Sequence, residues 1–461
     1  MDYGYGMLTL LPAILVIVTA VKTKRTTEAL LIGVFVSYLI ICISRGENFI
    51  TTVTDSFFSV VTDYDTMWLV IVCGLFGSLI ALINNAKGTH AIAHLLGKVC
   101  KTEKTTLFVA WVLGIIIFID DYMNILTVSA CTKKLSDERK SPREALAYII
   151  DSTGAPVCVL LPFSTWAIFF SGVFYEQESI RELGYGSAIQ TYIHTIPYMF
   201  YAIAAVLIVP LFILGFIPKL GAMKKAYERT KLTGRVYSEA SERFNQKAEA
   251  AIGESDSKAN IWDFILPIVT MIAVQLLMDD MFIALIASIL VCGILYIPRK
   301  KMSGGQFCDL WIRGFADLVP SLSIIIAALF MRQASEDLML SEYVIGIIEP
   351  LVSAKLYPLI AFIAVSCLGF ITGSNWGIPA VCAPIIIPLG AAVGANLLLV
   401  MAAIVCGGTF CSHACFYSDA TVLTSSVCGI ENMDHVYTQI PYAVLALVIS
   451  CAAFLIAGLV M

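Results

Sequence analysis

Apolar runs of roughly 17 to 25 residues, each long enough to cross a bilayer as a helix, recur along the whole chain. They lie near Gly6–Val21, Ala29–Ile43, Met67–Ile83, Ala145–Val173 and Pro197–Ile217, then near Ile261–Met278, Phe282–Ile297, Leu318–Met331, Leu397–Phe416 and Tyr442–Val460. With 59% hydrophobic and 14% charged residues and a mean hydropathy of +0.86, the apolar surface exceeds what one soluble core can bury. The expected fold class is an all-α polytopic membrane protein. The first run has no basic segment before it and ends in Lys22, Lys24 and Arg25, which fits a retained spanning helix better than a cleaved signal peptide. The net charge of -5 is the difference of scattered loop charges, and no basic patch with interleaved aromatics appears, so no nucleic-acid partner is expected. The 14 cysteines sit mostly in apolar runs without CxxC pairing and read as reduced, buried hydrophobes.

Two further runs, Thr105–Ser129 and Leu356–Leu389, are interrupted by polar residues and occupy matching positions in the two sets of spans. Each predicts a hairpin or broken helix. The first half carries GIIIFIDDYMNIL and then YIIDSTGAPVCVLLP; the second carries LGFITGSNWGIPA and then FYSDATVLTSSV, in the same order, which pairs Asp151 with Asp419. About five crossings around one hairpin in each half would turn the second half upside down, giving two inverted-topology repeats. The domains follow as 1–217, a first transmembrane repeat, and 261–461, a second, inverted one. Between them, the polar stretch 218–260 reads as a cytoplasmic linker, in part helical. Lys and Arg gather in Lys22–Arg25, Lys133–Arg143, Lys219–Lys258 and Arg299–Lys301 and are scarce in Gly46–Asp65 and Glu176–Glu182, which places the N-terminus outside. Neither Lys355 nor the Glu431–His435 loop orients the last third.

The chemistry is concentrated between Ile115 and Trp166. Asp120, Asp121 and Asp151 lie there in segments apolar enough to be embedded, where an ionisable group costs several kcal/mol unless it has a partner or a task. Around Asp151 and Asp419, the sequences DSTGAP and SDAT crowd helix-breaking and hydroxylated residues into spans. Unwound backbone at membrane depth is tolerated where it lines a polar cavity, and its carbonyls can coordinate a hard cation. Asp121, Asn124, Asp151, Ser152, Thr153, Ser418, Asp419 and Thr421 supply hard oxygen for a cation such as Na⁺, with Na⁺ expected at Asp151 and Asp419. Asp120, Thr372, Ser374, Asn375 and His413 form a second tier. A proton and a cation compete for a buried carboxylate, and that competition is sufficient for exchange. Asp120 and Asp121 point about 100° apart, and Asp121 shares a face with Asn124 three residues on. Capping of broken helices is the alternative use of these acids. His413 with Cys411 and Cys415 offers no fourth metal ligand, and Trp166 and Trp376 either wall a cavity or pack. A channel or scaffold needs neither broken helices nor buried acids. Without a GxxxxGK[ST] loop the energy source must be an ion gradient; no enzyme activity and no cofactor beyond transported Na⁺ and H⁺ are expected.

At these motifs the chain resembles the NhaC-type sodium/proton antiporters, an ion-transporter group with inverted repeats. FIDDYMN at Phe118–Asn124, DSTGAPVCVLLPFSTW at Asp151–Trp166, ITGSNWG at Ile371–Gly377 and HACFYSDATVLTSS at His413–Ser426 carry the resemblance. It implies cation/proton antiport by alternating access, with Asp151 and Asp419 closest to the family's ion-handling acids. Two positions depart from the family pattern: Ser412 stands where an acid precedes the His, and Phe416 stands where the pattern has Pro. The alternative is a Na⁺- or H⁺-coupled exchanger of a small organic acid or amino acid, received at Ser374–Gly377. The resemblance implies a multi-pass protein of the plasma membrane, in a bacterium the inner one, in contact with the lipid bilayer. A homodimer is expected by analogy with the architecture alone.

Overall fold

The computed structural model describes residues 5–23, 25–88, 91, 99–118, 120–162, 164–244, 260–278, 280–340, 343 and 353–461. All regular structure among them is helical. By length and composition, Thr27–Arg45, Thr66–Asn85, Leu397–Cys428 and Asn432–Val460 are each able to cross a membrane. Three bent pairs make further spans: Arg143–Leu160 with Thr165–Tyr175 at 44°, Ala188–Tyr198 with Phe200–Leu214 at 54°, and Gly304–Asp317 with Leu322–Asp337 at 45°. The chain is therefore a multi-pass membrane protein. Two of the expected spans are matched to within a residue or so in length; Trp262–Met278 has 17 residues and Met281–Tyr296 has 16, or about 25 Å of helix.

Both interrupted runs fold as two helices separated by a short break. Glu103–Ile116 and Asp121–Glu138 form the first hairpin, Tyr357–Thr372 and Gly377–Ala392 the second. The ends of the first are tied where Arg139 Nε donates to the Cys100 carbonyl at 2.8 Å. They lie with the Lys/Arg-rich loops, since Lys104 donates to the Leu214 carbonyl at 3.0 Å. The second hairpin begins on the other face. The C-terminal helix, Asn432–Val460, has 29 residues, about 43 Å of rise. It starts beside the linker, where Arg243 pairs with Glu431, and ends beside Lys355, whose carbonyl is 2.2 Å from where a Cβ on Gly458 would stand.

Each hairpin is followed by a broken span that it must approach closely, and glycine makes the approach possible. A Cβ on Gly114 would lie 2.1 Å from Thr153 Oγ1, and one on Gly373, which also has φ +70°, would lie 2.4 Å from the Tyr417 ring. In the first broken span, Arg143–Thr153 stops at Gly154 and restarts as Ala155–Leu160 with Pro156 in its first turn. Thr165–Tyr175 and Asp419–Cys428 then begin alike. Ser164 and Ser418 are their N-caps, accepting from Ala167 and Thr421 N–H, and each hydroxyl donates to the carbonyl six residues earlier, Cys158 at 2.6 Å and Ser412 at 2.8 Å. This alignment corrects the sequence pairing: Asp419 occupies the place of Thr165, while Asp151 lies before its break and has no such counterpart.

The linker begins with the helix Gly221–Thr233 and continues as a strap over 234–244; the rest of it, 245–259, lies outside the described residues. Arg143 N–H donates to the Val236 carbonyl at 2.8 Å, and Ser238 bonds Asp434. The Glu431–His435 stretch thus lies on the same face as the Lys/Arg-rich loops.

Candidate functional site

Four helix starts or breaks converge at the base of a cavity of about 680 Å³. Its wall includes Asp63 and Thr66, at the end of the stretch poor in Lys and Arg. Its floor is built alike by the two halves. Asp120 caps Asp121–Glu138 by accepting from Met123 N–H at 3.0 Å, and its other oxygen accepts from Thr165 Oγ1 at 3.2 Å. Asp419, in the place of Thr165, accepts on Oδ1 from Asn375 Nδ2 at 2.9 Å and from Ala420 N–H at 2.7 Å. Tyr122 crosses between the halves, donating its hydroxyl to Asp419 Oδ2 at 2.5 Å. Thr372 and Ser374 also line the cavity; Ser374 Oγ accepts from Gly377 N–H at 3.1 Å, while Thr372 back-bonds to the Leu368 carbonyl at 2.8 Å.

Asp121 lies behind this floor with no exposed surface. Among the described residues no side chain hydrogen-bonds either carboxylate oxygen, and the nearest charges acting on it, Asp120 and Asp419, are of its own sign. Trp166 lies beside it without a hydrogen bond of good geometry. One turn on, Asn124 donates its amide to the carbonyls of Gly114 at 2.6 Å, Ile117 at 2.7 Å and Thr153 at 2.9 Å, while its Oδ1 has no partner. The amide orientation follows from these three acceptors. The Asn124 side chain therefore locks the hairpin break to the end of Arg143–Thr153 and leaves an oxygen on the Asp121 face.

Asp151 belongs to a different cluster. Its Oδ2 accepts from Gln439 Nε2 at 2.6 Å and Thr421 Oγ1 at 3.3 Å and lies 3.0 Å from His435 Nε2. Gln439 also donates to the His413 carbonyl. His413 lies between Ser152 Oγ, at 2.9 Å from Nε2, and the Tyr201 hydroxyl, at 2.8 Å from Nδ1. Thr153 back-bonds within its own helix to Ile149 and Ile150. Thr421 is the bridge between clusters, and Asp419, two residues earlier, points to the other side of the same helix. The residues expected to form one site are thus divided: Asp120, Asp121, Asn124, Asn375 and Asp419 on one side, Asp151, Ser152, His413 and Thr421 on the other, with Ser418 capping between them.

The thiols of Cys411 and Cys415 donate to the Gly369 and Phe370 carbonyls, and among the described residues no cluster of three or more His, Cys, Asp and Glu is arranged as a metal centre. Trp166 and Trp376 pack with ring centroids 4.4 Å apart, and Trp376 also faces the cavity. Tyr122, His435, Gln439 and Arg332 were not singled out from the sequence. A glutamine inside an apolar span and a tyrosine next to an acid pair were the available signals.

Residues 173–459 match the Na⁺/H⁺ antiporter family. The chain belongs to that family. The protein is therefore a membrane transporter. An uncharacterized protein of Haemophilus influenzae is 25% identical over 493 aligned positions, covering 99% of this chain and 92% of its own. The solved structure of MtrF from Neisseria gonorrhoeae, described with a class of antimetabolite efflux pumps, aligns with 88% of this chain and 83% of its own at 14% identity and a TM-score of 0.38. A likeness that slight transfers nothing to this transporter.

Proposed function

We propose that the protein exchanges Na⁺, or another monovalent cation, for protons, and that Asp121 is the group the two cargoes share. The observation that carries this reading is the absence of any hydrogen-bond partner on either Asp121 oxygen among the described residues. A carboxylate at membrane depth with no counter-ion beside it and only the Trp166 indole nearby is stabilised by taking up a cation or a proton. It binds either cargo and excludes both together, which is the competition that antiport requires. The unpartnered Asn124 Oδ1 completes an all-oxygen face suited to Na⁺. Asp120 and Asp419 lead to it from the cavity, and Asp151 with Ser152, Thr153, Thr421 and His413 joins the two halves. The matching order of hairpins and broken spans in 1–217 and 261–461 supports an inverted-repeat arrangement with alternating access at this crossing, with 218–260 as the link on the cytoplasmic face of a plasma membrane.

A second reading, exchange of a small organic acid or amino acid coupled to Na⁺ or H⁺, draws on the cavity itself. Its volume lies within the range of about 300–1,000 Å³ common for small-molecule sites. Arg332 lines it, with Nη2 2.6 Å from where a Cβ on Gly377 would stand. A guanidinium at the start of the half-helix Gly377–Ala392 suits a carboxylate. Purified protein in proteoliposomes holding a pH gradient separates the readings. Dequenching of a pH-sensitive dye by Na⁺, Li⁺ or K⁺ that disappears in Asp121→Asn is the expected result. Dequenching that needs an added organic acid or amino acid promotes the second reading, and full cation-driven exchange by Asp121→Asn rejects the role of that residue.

A further inference from the structure

We infer that Tyr122 closes the path between the cavity and Asp121, and that its hydroxyl bond to Asp419 is the latch. The inference rests on Asp121 being the cargo-binding group. The cavity is lined by Asp120, Tyr122 and Asp419 but not by Asp121 or Asn124. Tyr122 and Asp120, the sequence neighbours of Asp121, are each 8% exposed while Asp121 is 0% exposed, so a solute in the cavity meets these two before the buried carboxylate. The ring belongs to the first turn of Asp121–Glu138, in one half, and its hydroxyl is held by Asp419 at the start of Asp419–Cys428, in the other.

The latch has a chemical logic. Asp419 has donors on both oxygens, Tyr122 on one and Asn375 with the Ala420 N–H on the other. A cation arriving at Asp419 competes with the phenol for the same oxygen, because Oδ2 bound to a metal ion is a weaker acceptor for O–H. Arrival thereby frees the ring to turn aside and exposes Asp121. Tyr122 never touches the cargo at its final position; it positions Asp419 and governs access, so it is a positioning residue.

The test is chemical access to position 121 in the purified full-length chain. Asp121→Cys is treated with a small, charged methanethiosulfonate reagent, and modification is scored by peptide mass spectrometry at position 121 alone, so that the native cysteines do not interfere. The expected result is that Asp121→Cys with Tyr122→Ala reacts at least about tenfold faster than Asp121→Cys alone, equivalent to about 1.4 kcal/mol of closure. Equal rates overturn the inference. If the alanine variant aggregates on gel filtration, Tyr122→Phe, which keeps the ring and loses the latch, is compared instead, with acceleration of about threefold expected and an unchanged rate again overturning it. The readout is thiol chemistry and not ion flux, so it can fail while cation/proton exchange holds, and succeed in a protein that moves another solute.

Discussion

Asp121 opens the second arm of the first hairpin and Asp151 lies three residues before the break at Gly154. Both are buried carboxylates in apolar helices, yet their surroundings differ in kind. Asp151 has Gln439, Thr421 and His435 on one oxygen, from two elements of the second half. Asp121 has no hydrogen-bond partner among the described residues and two acids for company. Depth in the membrane is thus not what marks a carboxylate as a cargo site. On the proposed reading, the acid with three partners on one oxygen fixes the geometry of the crossing, and the one with no such bond stays available to a mobile charge.

The largest expected effect follows from this contrast. Asp151→Ala removes the acceptor that Gln439, Thr421 and His435 share; Gln439 and Thr421 keep the His413 and Ser412 carbonyls, whereas the buried His435 Nε2 loses its partner and bears the desolvation cost. We expect a loss of about 2–3 kcal/mol of stability. Asp121→Ala removes a group with no hydrogen bond to its oxygens among the described residues and should change stability by less than about 1 kcal/mol while abolishing exchange. Chemical unfolding of both variants in mixed micelles measures the difference. Equal destabilisation would mean that Asp121 has a structural partner after all, and the comparison would collapse.

How far this division was legible in the sequence depends on the range of the contacts. The breaks after Ile116 and after Thr372 were readable because polar residues and glycine interrupt apolar runs, and Asp120 and Asp121 stood out because charge is rare there. The pairing of Asp151 with Asp419 was a misreading of local similarity. Both acids are followed by a small residue and Thr, but what recurs in the fold is the serine bridge across the break, Ser164 and Ser418, which sets Asp419 against Thr165. The partners of Asp151 were out of reach for another reason. His435 and Gln439 are 284 and 288 residues away, and His435 falls in a stretch that reads as a loop but forms the first turn of the long last helix. Nothing local announces that a polar side chain in one span will meet an acid in a distant one.

A smaller effect sharpens the comparison within the bonded cluster. Gln439 joins Asp151 to the His413 carbonyl through one nitrogen, so Gln439→Leu removes a donor that serves two acceptors. Asp151 keeps Thr421 and His435. The expected loss is about 1–2 kcal/mol, less than for Asp151→Ala, measured by the same unfolding experiment. A loss as large as that of Asp151→Ala would place the weight of the cluster on Gln439 and not on the acid.

The smallest effect belongs at the edge where the strap meets the start of the last helix. Arg243 pairs with Glu431, but its side chain is 68% exposed, and an ion pair so open to water contributes about 0–1 kcal/mol because hydration and screening offset the attraction. Arg143 differs from it: its side chain is 10% exposed and bonds Asp137 at 2.9 Å. Arg243→Ala should therefore shift stability by less than about 1 kcal/mol, and raising the salt concentration should shrink even that difference. A larger loss, insensitive to salt, would show that the strap seals the face below the Asp151 cluster. The bonded region would then extend from the membrane interior to the linker, and the contrast between the two aspartates would become one between a rigid half of the crossing on the linker side and an open half that faces the cavity.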